Sequence, residues 1–229
     1  MARRRGRLKQ QARPPAAPGG LGRALRRLAF PTLAVLIVVG VTAGLIFAVT
    51  QVNKESQSAG AEAEQDRDPS LPGEWIDPGG VYGSDEHTGT HFAAGTVYPV
   101  CTDEVTENCY TSNPPTSGSH DPVAVQWGIY DEPQRKEQLL HNMEHAGVVV
   151  WYNCTGCEDV ISELKDIVLG YLEDGRLLVM TPYPEMEPDT IALTGWSRLD
   201  KFGVDEFDEG RVRRFIEAHE CRFDPESIC

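Results

Sequence analysis

Between Leu28 and Gln51 the chain runs for 24 residues without a charge, LAFPTLAVLIVVGVTAGLIFAVTQ, and nine basic residues and no acid precede it. A helix needs about 20 predominantly apolar residues to cross a bilayer, so the run predicts a membrane helix over 29–51. Pro31 falls near its start, where a missing N–H matters little. The basic flank, residues 1–28, is expected to stay in the cytoplasm, and the remainder to lie outside it. A cleaved signal peptide is the alternative, but its apolar region is normally about 7–15 residues long. Ala59, Gly60 and Ala61 would offer a cleavage site only well beyond the run. The expectation is an uncleaved, single-pass anchor.

The charge divides at the same place. All 35 acids follow residue 50, against the 12 remaining Lys and Arg, so the external part carries a net −23. Such a surface excludes nucleic acid and anionic lipid headgroups as ligands, because phosphate binding needs basic side chains. It attracts cations. All six cysteines are external as well, and an even count outside the cytoplasm reads as disulfides. Proximity suggests Cys101–Cys109, Cys154–Cys157 and Cys221–Cys229.

Residues 52–85 have no apolar periodicity and several turn breakers (Asp68-Pro69, Leu71-Pro72-Gly73, Asp77-Pro78-Gly79-Gly80), so a flexible linker is expected there. Residues 86–229 are the right size for one domain. Its first part, 86–130, is rich in Pro, Ser and Gly and predicts loops, with a short strand over 95–100. A helix then follows, capped by Asp131, with Pro133 in its first turn and Gly147 at its end. Apolar runs and stripes predict a strand at 148–152, a helix from Cys157 to Gly175, strands at 177–181 and 191–196, and a last helix at 208–219. The order strand, helix, strand, strand, helix gives a small mixed sheet with helices on it: an α+β (mixed α/β) fold, with the first two strands parallel.

The chemistry concentrates on the first helix. Leu139, Leu140 and Met143 share its apolar face, whereas Glu137, His141, Glu144 and His145 share the opposite face. That second face must meet solvent or another layer. The loop ending in His120, or the Thr90-His91 segment, could supply the layer. His141 and His145 at i, i+4 suit zinc or copper, which accept imidazole ligands. Glu144 would ligate or orient an imidazole. The candidate ligands are therefore His91, His120, His141, Glu144 and His145. A buried hydrogen-bond network that satisfies loop backbone is the competing account of the same residues. The H-x-x-E-H order also matches an inverted zinc-protease motif, but no further acidic ligand completes one. His219 falls on the apolar stripe of the last helix and reads as packing, and nothing distinguishes His87.

Cys154-Thr155-Gly156-Cys157 follows a strand and opens a helix, the setting of a thioredoxin-like redox motif. Against a redox role, no helix separates the next two strands, and Glu158 opposes a thiolate. A structural disulfide is the simpler account. No nucleophile triad, phosphate loop or dinucleotide fingerprint is present.

Four segments carry a resemblance: Asn113-Pro114-Pro115-Thr116-Ser117-Gly118-Ser119-His120, Gly128-Ile129-Tyr130-Asp131-Glu132-Pro133, His141 through Tyr152, and Leu193-Thr194-Gly195-Trp196-Ser197-Arg198. Over about 86–220 the chain resembles the bacterial domain-of-unknown-function family 3105, and His91 fits the histidine that precedes the proline-rich motif there. The resemblance implies a domain behind a single membrane anchor and supplies no reaction. Cys154 and Cys157 depart from the family's usual pattern, as does Ser119, where a proline is more usual. Taken together, the sequence predicts an anchored, extracytoplasmic domain that binds metal through its histidines. The alternatives are a thiol–disulfide redox protein using Cys154 and Cys157, and a non-catalytic envelope scaffold.

Overall fold

The computed structural model describes residues 67–77 and 89–229, together with 41, 42, 44, 45 and 47–49 in the apolar run. The basic tail 1–28, most of the expected span 29–51, the rest of the 52–85 linker, and His87 lie outside the described residues. Contacts divide the chain into two units, 1–55 and 56–229. In the first, the described residues are helical, and Val41, Leu45, Phe47 and Val49 expose more than half of their surface. Among the described residues no helix is long and apolar enough to cross a membrane.

The second unit is a mixed α+β fold. Among the described residues its six strands are β1 (Glu74–Trp75), β2 (Gly128–Ile129), β3 (Val148–Asn153), β4 (Leu178–Pro182), β5 (Thr190–Gly195) and β6 (Arg198–Gly203). Its helices are α1 (Lys136–Glu144), α2 (Glu158–Glu173) and α3 (Glu209–His219), with one 3-10 turn at Val204–Glu206. The sheet order is β1-β6-β5-β3-β4-β2. β3 and β4 are parallel, as expected for strands joined by a helical crossover, and β5 runs antiparallel on the other side of β3.

Both faces of the sheet are covered, which explains the unbroken apolar run in β3. Successive side chains of a strand point to opposite faces. Val148 and Val150 join Leu164, Ile167 and Val168 of α2 and Val212, Phe215 and Ile216 of α3. Val149 and Trp151 join Leu139, Leu140 and Met143 of α1 on the opposite face. α1 is thus sandwiched: its apolar side meets the sheet, and its polar side meets the loops of 89–121.

Three details differ from the sequence reading. α1 begins at Lys136, with Arg135 as N-cap and no side-chain cap. Residues 128–135 are instead held across the sheet: β2 pairs with β4, Thr181 Oγ1 accepts the Gln134 N–H at 3.0 Å, and Asp131 pairs with Lys165. No strand forms over 95–100; only Val100 makes a bridge, to Tyr110. Side chains take the backbone groups a strand would use there. Asp121 accepts from Gly95 N–H, Glu137 accepts from Tyr98 N–H, and Arg135 donates to Thr96 O. Finally, β6 pairs with β5 through a two-residue turn in which Ser197 has φ 59°. Its charged residues, Arg198, Asp200 and Lys201, mask it in the sequence.

Part of the segment read as a linker is built into this unit. β1 pairs with β6, the wholly buried Arg198 donates to the carbonyls of Asp68 and Gly73, and His219 Nε2 donates to Pro72 O at 2.7 Å. His219 is 4 % exposed. Burial, helped by Arg198 and Arg222, pushes its pKa from 6.5 down to about 4. The unfolded chain therefore takes up this proton before the folded one, and stability falls as pH drops from about 6.5 toward 4. The shift corresponds to about 3 kcal/mol over that window. Denaturant titrations across this range should show the loss, and His219→Gln, which keeps a donor for Pro72 O, should flatten it. A pH-independent midpoint in the unaltered protein would refute the assignment.

Candidate metal centre

Two elements bring the histidines together. His91 and His120 form a parallel backbone bridge, with Phe92 N–H donating to His120 O and His120 N–H to Thr90 O. The bridge depends on Gly89, whose φ is +79° and whose missing Cβ would lie 2.2 Å from the Gly118 carbonyl carbon. No side chain fits there. Beneath the bridge, α1 presents His141 and Glu144 from its last turn. α1 stops immediately afterwards: Ala146 takes φ 65°, and Gly147 lies against Trp127, whose ring a Cβ would meet at 2.5 Å.

One donor atom from each of His91, His120, His141 and Glu144 lies within 4.8 Å of the others. Glu144 Oε2 is 2.9 Å from His120 Nε2 and 3.4 Å from His91 Nε2. The His91 and His141 rings stack at 4.9 Å, and the His120 ring stands edge-on to both. His120, His141 and Glu144 are buried, whereas the His91 side chain is 45 % exposed and forms the open side.

The outer ring nitrogens define the tautomers. His120 Nδ1 is 2.8 Å from Gly118 O, and His141 Nδ1 is 2.8 Å from Asp121 O. A carbonyl can only accept, so each Nδ1 carries a proton and each ring turns its Nε2 inward. Metal-bound histidines are oriented in this way. Asp121 is fixed in turn. Burial works against its charge, but N–H groups of Gly95 and Val123 and the Arg135 guanidinium outweigh burial and hold its carboxyl below the usual range.

Glu144 shows the same balance. Burial alone would raise its pKa, but the hydrogen bond and charge of His120, with His91 and His141 beyond, pull it below the ordinary value. His141 moves down too, mainly through burial, with His145 and His120 adding, against the pull of the Asp121 carbonyl and Glu144. With Nδ1–H spent on Gly118 O, His120 Nε2 can sit 2.9 Å from Glu144 Oε2 only with a proton or a cation between them.

His145 is held differently. Its Nε2 lies 3.0 Å from His141 Nε2 and 3.0 Å from Glu226 Oε2 in the C-terminal segment. A carboxylate can only accept, so the Nε2–H of His145 serves Glu226, and the same nitrogen crowds the His141 Nε2 that a metal would use. Asp121, Arg135 and the Gly118 carbonyl were not singled out in the sequence. The first follows His120 directly, and its tie to Arg135 was invisible until the chain folded. Met143 is in the core, and Glu137, on the polar face of α1, clamps Tyr98.

The cysteines pair as expected: Cys101 with Cys109, Cys154 with Cys157, and Cys221 with Cys229, at Cα separations of 4.9, 6.1 and 5.8 Å. None touches the histidine group directly. Cys221 N–H donates to Ala146 O, which ties the C-terminal disulfide loop to the end of α1.

A mixed α+β domain with three histidines and a carboxylate gathered under a loop layer is what the fold and site define. No curated protein and no solved structure matches the chain. The model of one family, described as protein of unknown function (DUF3105), matches residues 100–228, and the chain belongs to that family. The match includes His120, His141, Glu144, His145, five of the sheet's six strands (β2 to β6) and α1, while His91 and β1 lie ahead of it.

Proposed function

We propose that this domain binds one divalent transition-metal ion, zinc or copper by donor type, through His91, His120, His141 and Glu144, on the outer side of a membrane to which the N-terminal run anchors it. The observation that carries the reading is the pair of Nδ1–H bonds to Gly118 O and Asp121 O, which turn the Nε2 atoms of His120 and His141 into the cluster that His91 and Glu144 complete. Three imidazoles and one carboxylate form a donor set that borderline metals accept. The domain's negative charge would raise the local cation concentration. For the anchor, the support is the uncharged run, its basic flank and the exposed apolar side chains at 41–49.

Elemental analysis of the full chain, purified under metal-replete conditions, tests the site. One zinc or copper per chain is expected; none would leave the cluster as a proton-bridged clasp between the loops and α1. Metal binding must displace protons. Occupancy should therefore fall as pH drops through the ordinary histidine range, about 6.5, with one to three protons taken up per ion released. A pH-independent affinity between 7 and 5 would argue against imidazole ligation. Membrane fractionation, with protease digestion from the outer side, tests the anchor.

A further inference from the structure

Cys154 and Cys157 sit at the other end of β3 from the histidines. Glu144 lies four residues before β3 begins, and Cys154 directly follows its last residue, Asn153. β3 is central in the sheet, and open α/β sheets place reactive groups outside the carboxyl ends of such strands. Cys157 is the N-cap of α2, a helix of 16 residues. Both cysteines are partly exposed and line an open cleft of about 340 Å³ together with Tyr152, Gly156, Ile161 and Lys165.

A structural role accounts poorly for this bond. Its cysteines are 3 residues apart, against 8 for each of the other two pairs. The shorter the loop a disulfide closes, the less it restricts the unfolded chain. β3 and α2 are already fixed by the core that Val150, Leu164, Ile167 and Val168 share. The bond thus contributes least to the fold of the three, yet it lines an open cleft.

We infer that Cys154–Cys157 is a thiol–disulfide exchange site, with a dithiol of a partner protein or a small-molecule thiol as co-reactant. In the forward step a partner thiolate attacks Cys154 Sγ, the Cys154–Cys157 bond breaks, and Cys157 leaves as a thiolate. Cys157 is the better leaving group because the free N–H groups at the start of α2 stabilise its negative charge. The first-turn acids Glu158 and Asp159 oppose that effect and keep it moderate. A second partner thiolate then attacks the partner sulfur of the mixed disulfide and releases Cys154. Two electrons and two protons pass from the partner's thiols to this pair, and the partner leaves as a disulfide.

The test begins with the unaltered chain. The full chain is equilibrated with glutathione buffers of graded ratio in the presence of EDTA, free thiols are trapped by alkylation, and each cysteine is read by mass spectrometry. Cys154–Cys157 is expected to be reduced with an equilibrium constant at least tenfold above those of Cys101–Cys109 and Cys221–Cys229. A Cys157→Ser variant should also collect glutathione on Cys154. Reduction of all three pairs together, or of Cys154–Cys157 last, overturns the inference, as does a Cys157→Ser chain that stays unmodified. Because EDTA removes metal and the histidines are untouched, neither result bears on the metal centre.

Discussion

His120→Ala is expected to lower metal affinity by about 100-fold or more, since even the outer partners of a metal site are typically worth 10–100-fold. His120 is fully buried, its Nε2 faces Glu144, and its Nδ1–H is spent on Gly118 O. A metal titration followed by competition with a chromophoric chelator measures the loss. Two companion variants separate ligation from folding. His91→Ala removes the exposed member of the group and should weaken binding without lowering the metal-free melting temperature. His145→Ala removes a ring whose Nε2 crowds the His141 Nε2, so affinity should hold or rise. If His145→Ala abolishes binding while His91→Ala leaves it unchanged, the ion is held by the i, i+4 pair on α1, and the four-residue site is wrong.

Glu137→Ala is expected to destabilise the domain by about 3–5 kcal/mol, the range for breaking a buried charge network by removing one partner. Glu137 is 2 % exposed. Its carboxylate accepts the Tyr98 N–H and lies 3.5 Å from the Arg135 guanidinium and 3.9 Å from Lys136 Nζ, while its carbonyl accepts the Asp121 N–H. Removing it leaves Lys136, itself buried, with Glu185 alone. Total stabilities of about 5–15 kcal/mol make this a large fraction. Urea denaturation reads the energy, and amide exchange at Tyr98 reads its location. Glu137→Gln retains the acceptor for Tyr98 and should lose less. A change below about 1 kcal/mol in Glu137→Ala would show that the network contributes nothing net, as many ion pairs do.

The predictions rest on residues that differ in how clearly the sequence announced them. Apolar periodicity defined β3, α2, β4, β5 and α3 because each buries a regular face, and both faces of β3 are covered. β6 was missed because three of its six residues are charged and Arg198 is buried by bonding to backbone carbonyls 125 and 130 residues away. The tether reading of 52–85 overlooked β1 for the same reason: a two-residue strand has no period, and it is held by β6 and His219. In the site, the α1 face was legible from helical spacing, and the pairing of His91 with His120 was not, since it depends on Gly89 lying against Gly118. His145 looked equivalent to His141 at i, i+4. It is set apart by Glu226, 81 positions along the chain, whose side chain draws its ring toward the C-terminal segment.

The sheet ends in two strands of two residues each, β1 on one side and β2 on the other. Such short borders leave little backbone for a foreign strand to join. Where β6 runs on past β1, it carries Asp200 and Lys201, and charge on an exposed border blunts pairing further. Among the described residues the sheet therefore disfavours docking of a partner peptide by strand addition. A protein partner would have to read side chains on an acidic surface, which favours basic partners and makes association sensitive to ionic strength. The same borders protect copies of this chain, at high local density, from polymerising edge to edge.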